Sequence, residues 1–239
     1  MTLLSVTQAV CRQLGLPQPN AAFSATDDMV EQIVILAQEA GDDLMRDHDW
    51  SVLTVVKDFT GSGVQVQGDP PTVSIAFDRF AQNTGIWDTG QRRMLSGPKT
   101  PAEWQGLTID NLGNPHGYWT MLGGVINILP APAITDTFRY TYITKNWIRV
   151  ALGSQISDIA EWNNDTNTSL LPERLIKLST IWRWKQVKGL SYEEDMATFE
   201  REKIRHIARD RGPRSISTSA WIRDEDGLLD TWWPGGPIG

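Results

Sequence analysis

Asp88, Thr89 and Gly90, in the stretch GIWDTGQ, are the residues of this 239-residue chain whose types and spacing come nearest to a known chemistry. An Asp-Thr-Gly triplet is the catalytic element of aspartic proteases, where two copies bring two carboxylates together to share one proton. The MLGG stretch from Met121 to Gly124 superficially resembles the second, apolar-apolar-Gly element of those enzymes. The triplet occurs once, so a protease would have to be a symmetric dimer; the other reading of three such residues is a turn beside an edge strand. The stretch DDLMRDHDW, from Asp42 to Trp50, sets carboxylates beside an imidazole. Consecutive helical residues point in different directions, so Asp47, His48 and Asp49 cannot converge on one metal ion from a regular helix. A solvated acidic face is the simpler expectation. His48, His116 and His206 are scattered, and no phosphate-cradling glycine loop, serine nucleophile elbow or Cys-His constellation occurs. The expectation is a protein that is not an enzyme and uses no metal or other cofactor.

Eleven tryptophans are the second anomaly. A glycan-binding surface uses tryptophans as flat platforms, so a Trp-rich glycan-binding module is an alternative function. Most of them read as core: Trp50 ends a helix and Trp182 falls on an apolar stripe. Trp184 shares a helix with Trp182 but points about 200° away, at roughly 100° per residue. That helix therefore carries aromatic surface on two faces and is buried on both, within the fold or between subunits.

Residues 2–15 allow a short helix closed by Gly15 and the LPQPN loop, with Cys11 as a small buried residue. The next helix opens at Ser24 or Thr26, carries acids in its first turn, and buries a stripe of Met29, Ile33, Leu36, Ala40 and Leu44. From Trp50 the period changes to β-branched runs punctuated by prolines, which predicts short or edge strands. Helix returns after residue 170. Pro172 suits a first turn, Gly189 breaks the segment, and Ser191 with Glu194 matches a capping box. Leu171, Leu175, Leu178 and Trp182 line one face, and Met196, Phe199 and Ile207 the next. The expected fold is α+β. Residues 1–51 and 170–212 form a discontinuous α-helical bundle, 52–150 a β-rich insertion, 151–169 a connecting loop and 213–239 an extended C-terminal tail.

Single-cysteine usage fits a reducing cytoplasm, and no apolar run or secretory leader points to a membrane. The net charge of −7 argues against a general nucleic-acid binder. Residues 1–49 hold eight acids against Arg12 and Arg46, so nearly all the excess lies in one helical segment. The tail, RGPRSISTSAWIRDEDGLLDTWWPGGPIG, lacks periodicity and is rich in Ser, Thr, Gly and Pro, which predicts disorder in the free subunit. Yet Ile216, Trp221, Ile222, Leu228, Leu229, Trp232 and Trp233 are anchors of the kind that dominate interfaces.

The order DHDWSVLT, IAFDRFAQNTGIWD, PAEWQGL, YWTMLGGVINILPAPAITDTFRYTYITKNWI and LLPERLIKLSTIWRWKQVKGLSYEEDMATFE resembles the head-to-tail adaptor (connector) proteins of tailed bacteriophages, especially short-tailed ones. The helix-ending Asp49-Trp50, the Phe77-Asp78-Arg79 element, the Leu129-Pro130-Ala131-Pro132 turn and the WRWKQVKGLSYEED helix pair carry the resemblance, which covers most of residues 1–212. It departs at GDPPTVSIAFDRF, where the family would have a tyrosine and a leucine-proline, and this bears on local strand register. The resemblance implies a structural virion protein, assembled in the host cytoplasm and located at the capsid-tail neck. About twelve copies would form a homo-oligomeric ring beneath the portal protein. The ring would bind the tail or nozzle protein distally, let DNA pass without specific binding, and dock its C-terminal segment on the portal. The residue-level reading agrees in three places. Trp182 and Trp184 suit subunits packed side by side. Glu39, Asp42, Asp43 and Asp47 would give either a negative channel wall that lets DNA slide or an acidic outer face. The tail anchors would be the portal-binding residues, their ordering cost of about 1–2 kcal/mol per residue offset by aromatic burial.

Overall fold

Helices α1 (Leu3–Leu14) and α2 (Asp28–Asp47) come first, then strands β1 (Thr54–Thr60), β2 (Val66–Gly68), β3 (Phe77–Phe80), β4 (Trp87–Asp88) and β5 (Arg93–Met94). Helix α3 (Pro101–Asp110) precedes β6 (Tyr118–Leu122), β7 (Val125–Leu129), β8 (Thr137–Thr144), β9 (Ile148–Leu152), β10 (Gln155–Ile159) and β11 (Thr168–Ser169), and α4 (Glu173–Val187) and α5 (Glu193–Asp210) follow. The computed structural model describes residues 2–68, 76–82, 84–110, 117–152 and 155–210. The fold is α+β, and its named strands pair antiparallel throughout.

Caps set the helix boundaries. The Thr2 hydroxyl accepts from the Ser5 amide and Gly15 closes α1 in the left-handed region at φ 71°. Asp27 caps α2, its carboxylate accepting from the Met29 amide at 2.9 Å, so the start lies beyond the expected Ser24 or Thr26. A carboxylate there also meets the positive end of the helix dipole. At α5 the Ser191–Glu194 box does not form; the Ser191 hydroxyl donates instead to Glu193, which also accepts the Tyr192 amide. A true capping box occurs at α3, where the Thr100 amide donates to Glu103 at 2.8 Å and the Glu103 amide donates back to the Thr100 hydroxyl.

The largest sheet runs β1-β8-β4-β5, with β3 also paired to β8, and β1 and β8 match residue for residue from Thr54↔Ile143 to Thr60↔Thr137. A second sheet, β2-β7-β6, contains the hairpin whose two-residue turn is Gly123-Gly124, both with positive φ as that turn requires. Between them lies an aromatic core of Trp119, Phe138, Tyr140 and Tyr142, joined by Phe77 and Phe80. The third sheet, β10-β9-β11, corrects the expectation of a connecting loop at 151–169. Its strands are short, but Arg149 and Asp158 face each other across β9 and β10 and pair at 3.0 Å, which fixes the register.

Helix α4 packs against α1, α2 and α5. The expected stripe on α2 is buried at Ile33, Leu36, Ala40 and Leu44. Cys11 is fully buried, and burial, then the charge of Asp27, push its thiol above the ordinary value. Three indoles close over α2: Trp50 donates to the Leu44 carbonyl at 2.7 Å, Trp147 donates to Asp42 at 2.9 Å, and Trp162 meets Trp147 edge-on. Gly41 makes room for this, because a Cβ there would lie 2.1 Å from the Trp147 ring. Gly41→Ala gains about 1 kcal/mol of helix propensity but overfills a packed site at about 1–3 kcal/mol, so it should lower the urea midpoint. Gly106, in α3, has open space around it. The matched Gly106→Ala should raise the midpoint, and equal shifts for the two variants would contradict this packing.

Candidate functional site

Two elements of the adaptor resemblance meet in space. Asp49 stands just beyond the C-terminal end of α2 and Arg79 lies on β3. The Arg79 Nε and Nη2 donate to Asp49 Oδ1 at 3.1 and 2.9 Å, and Nη2 also reaches the carbonyls of Met45 and His48 at 3.1 and 3.3 Å. Nη1 pairs with Asp78 at 2.7 Å, and the second Asp49 oxygen accepts the Gln82 amide at 2.8 Å. The last carbonyls of a helix lack intrahelical donors and carry its negative end, so a guanidinium is suited to cap them. A β-bulge between Phe77 and Arg79 makes this possible. In a regular strand Phe77 and Phe80 would face opposite sides. The extra residue at Asp78 lets both join the aromatic core while Arg79 turns to α2, and it lies in the segment where the family pattern is broken.

The other side of the same turn is held from α5. Asp210 accepts the Ser51 amide at 2.9 Å, the Ser51 hydroxyl at 2.6 Å and faces His48 Nε2 at 3.3 Å, while His48 lies edge-on to Trp50. Residues 48–51 are thus clamped between the β sheets and the last turn of α5. An open cleft of about 300 Å³ lies beside this clamp, between Trp50, Pro172 and His206. Sequence reasoning did not single out Asp210, although a signal existed: an acid in the last turn of a helix opposes the dipole and therefore needs donors of its own.

Asp88 is buried, and its Oδ1 accepts the Gln91 amide at 2.9 Å, closing a turn at the end of β4. The Thr89 amide donates to the Thr137 carbonyl at 2.9 Å. Asp136, which lines the same small cleft, accepts the Ala133 amide at 2.8 Å. Each carboxylate therefore has a structural partner, which is the geometry of the turn reading. Among the described residues no group of three or more His, Cys, Asp and Glu side chains could hold a metal ion. No helix among them is long and apolar enough to cross a membrane.

The four acids proposed for a channel wall are not a free negative surface. Asp43 pairs with Arg183 at 2.5 Å, with Glu39 3.9 Å from the same guanidinium. Asp42 is turned inward and accepts from Trp147 and Gln38. Asp47 pairs with Lys203 at 3.1 Å, and Lys203 also meets Glu200 at 3.0 Å. Burial pulls the Lys203 ammonium down, but its hydrogen bonds to Glu200 and Asp47 outweigh that and hold it above the ordinary lysine value. Cations from α4 and α5 thus offset part of this acidic face, while Glu39, Asp43 and Asp47 stay exposed.

Both aromatic faces of α4 are used within the subunit. Trp184 is 8% exposed in a cluster with Val10, Cys11, Ile33, Leu36 and Ile181, which corrects its assignment to a subunit interface. Trp182 is half-buried against Tyr192 and Phe199, with the Arg183 guanidinium 4.9 Å from its ring. Among the described tryptophans Trp87 alone is classed as exposed. Ile216, Trp221, Ile222, Leu228, Leu229, Trp232 and Trp233 lie outside the described residues.

If Arg79 and Asp49 act as one unit, Arg79→Ala and Asp49→Ala should be non-additive in urea unfolding, with a coupling of about 0.5–3 kcal/mol. Arg79→Lys should recover only part of the loss, since one ammonium cannot serve the carboxylate and both carbonyls as a planar fork does. Strict additivity would show that the contact is incidental. Compared with known proteins, the chain matches no family model, and no curated protein matches it.

Proposed function

We propose that this chain is a structural subunit of a phage head-to-tail adaptor: a discontinuous α-helical bundle with a β-rich insertion and a C-terminal tail, assembled as a ring between the portal protein and the tail or nozzle. The observation that carries the reading is the Arg79–Asp49 contact. The Asp49-Trp50 and Phe77-Asp78-Arg79 elements, which separately carry the resemblance, meet in space in one contact. The clamp also has the rigidity a neck component needs, because it ties the helices to the sheets at the turn where the chain passes between them.

Asp210 belongs to that clamp and is the last residue of α5. The described chain therefore ends at a fixed point, and the proposed partner of the tail anchors is a cleft on the portal. Twelve such tails acting from one ring would bind with strong avidity, about 10²–10⁴ beyond a single tail. The role is non-enzymatic, DNA passes through without specific binding, and the location is the capsid-tail neck of the virion.

A chain ending at Arg211 should keep the unfolding midpoint of the full chain and lose its ability to join portal-bearing particles in a sedimentation assay. Joining at the full-length level would contradict the role given to Trp221, Trp232 and Trp233.

A further inference from the structure

The outward faces of α2 and α5 are complementary to each other. On α2 the exposed residues Glu31, Ile35 and Glu39 follow at four-residue spacing, so they form one stripe. Ile35 is 52% exposed, and beside it opens an apolar groove of about 230 Å³ lined by Val34, Ile35, Gln38, Glu39, Glu161 and Trp162. Its polar rim is acidic: Glu39 and Glu161 are both exposed, and Glu161 has no cation partner among the described residues. On α5 the exposed stripe is Ala197, Arg201, Ile204, Arg205 and Ala208. Ile204 stands out at 65% exposure, with Arg201 and Arg205 beside it and Glu200, paired to Lys203, one turn before it. Among the described residues Arg201 bonds within its own helix, to the Ala197 carbonyl and the Thr198 hydroxyl, and Arg205 pairs with Glu202 at 2.8 Å.

We propose that Ile204 of one copy inserts into the groove beside Ile35 of a second copy, with Arg201 and Arg205 facing Glu39 and Glu161. One surface is a basic-rimmed apolar knob and the other an acidic-rimmed apolar groove, so each fits the other and neither fits itself: two knobs would oppose arginines and two grooves would oppose glutamates. Such a contact is heterologous, and it propagates head to tail until it closes or forms a filament. Ile35 and Ile204 are both exposed on the one subunit, whose α2 and α5 are joined directly by Asp47–Lys203 and through α4 by Arg183–Asp43 and Lys185–Asp195, so it presents both surfaces at once. Closure into a ring rests on the adaptor reading; the contact itself does not. It also gives Glu39 a partner across the interface in place of a role facing DNA.

The test is a cross-linking experiment on the full chain with a short bismaleimide. Two variants, Ile35→Cys and Ile204→Cys, are mixed, and the control mixes Ile35→Cys with Ile109→Cys, since Ile109 on α3 is more exposed still at 81%. Cys11 is fully buried, which confines reaction to the introduced thiols. The Ile35/Ile204 mixture should form dimer at least about tenfold faster than the control, because docking raises the effective concentration of the thiols. Adding Glu161→Lys to the groove variant should remove most of that advantage, and adding Arg201→Glu to the knob variant should restore it. A mixture that reacts no faster than its control overturns the proposal, even if the wild-type chain joins portal-bearing particles. A mixture that reacts faster in a protein that never joins such particles supports the contact and contradicts only the adaptor reading.

Discussion

The carbonyls of Met45 and His48 are left without intrahelical donors where α2 ends, and Arg79 of β3 supplies them while holding Asp49 with the same guanidinium. That contact, together with Leu53, Ile143, Trp147 and Ile148 packed into the helical core, holds the largest sheet against the helices. Lysine could meet the charge but not the geometry, since the acceptors lie in different directions around a planar fork. The Asp78 bulge serves it by turning Arg79 away from the aromatic core without removing Phe77 or Phe80 from that core. Asp210 then holds the opposite side of residues 48–51. Movement of α5 would therefore be felt at the base of the sheets.

A second constraint is the charge of α2. Left unpaired, its acids would repel one another and any phosphate backbone. The fold meets most of them with Arg183, Lys203 and the Trp147 indole, so the net charge read from the sequence is spread through the helical layer instead of concentrated on one wall. What remains open on the outer side of α2 is an acidic-rimmed apolar groove. Under the proposed contact its complement is the Ile204 stripe of α5 on a second copy.

Long periodic segments were legible from the residues alone. The α2 stripe, the α4–α5 pair and the β1 and β8 runs all follow from spacing. The misses have local causes. Residues 151–169, expected as a connecting loop, hold β10 and β11 because such short strands show little alternation, and the β9–β10 register rests on Arg149 and Asp158. Ser191 was given to a capping box, but the helix starts at Glu193, which is near enough to take the hydroxyl itself. Trp184 was placed between subunits because a two-faced aromatic helix must be buried twice, and α1 and α2 provide the second burial inside the chain. The Arg79–Asp49 clamp was half visible: both partners were noted, but nothing in one sequence says that a bulged strand brings them together.

The proposed role requires that this chain build a ring at a portal. Electron cryomicroscopy of tail-less, portal-bearing particles incubated with the full chain tests that most directly. A symmetric ring of this fold beneath the portal, with neighbouring copies in contact through α2 and α5, is the result the account predicts. Particles whose portals stay bare at saturating protein, or that carry the chain anywhere but the portal, would contradict it.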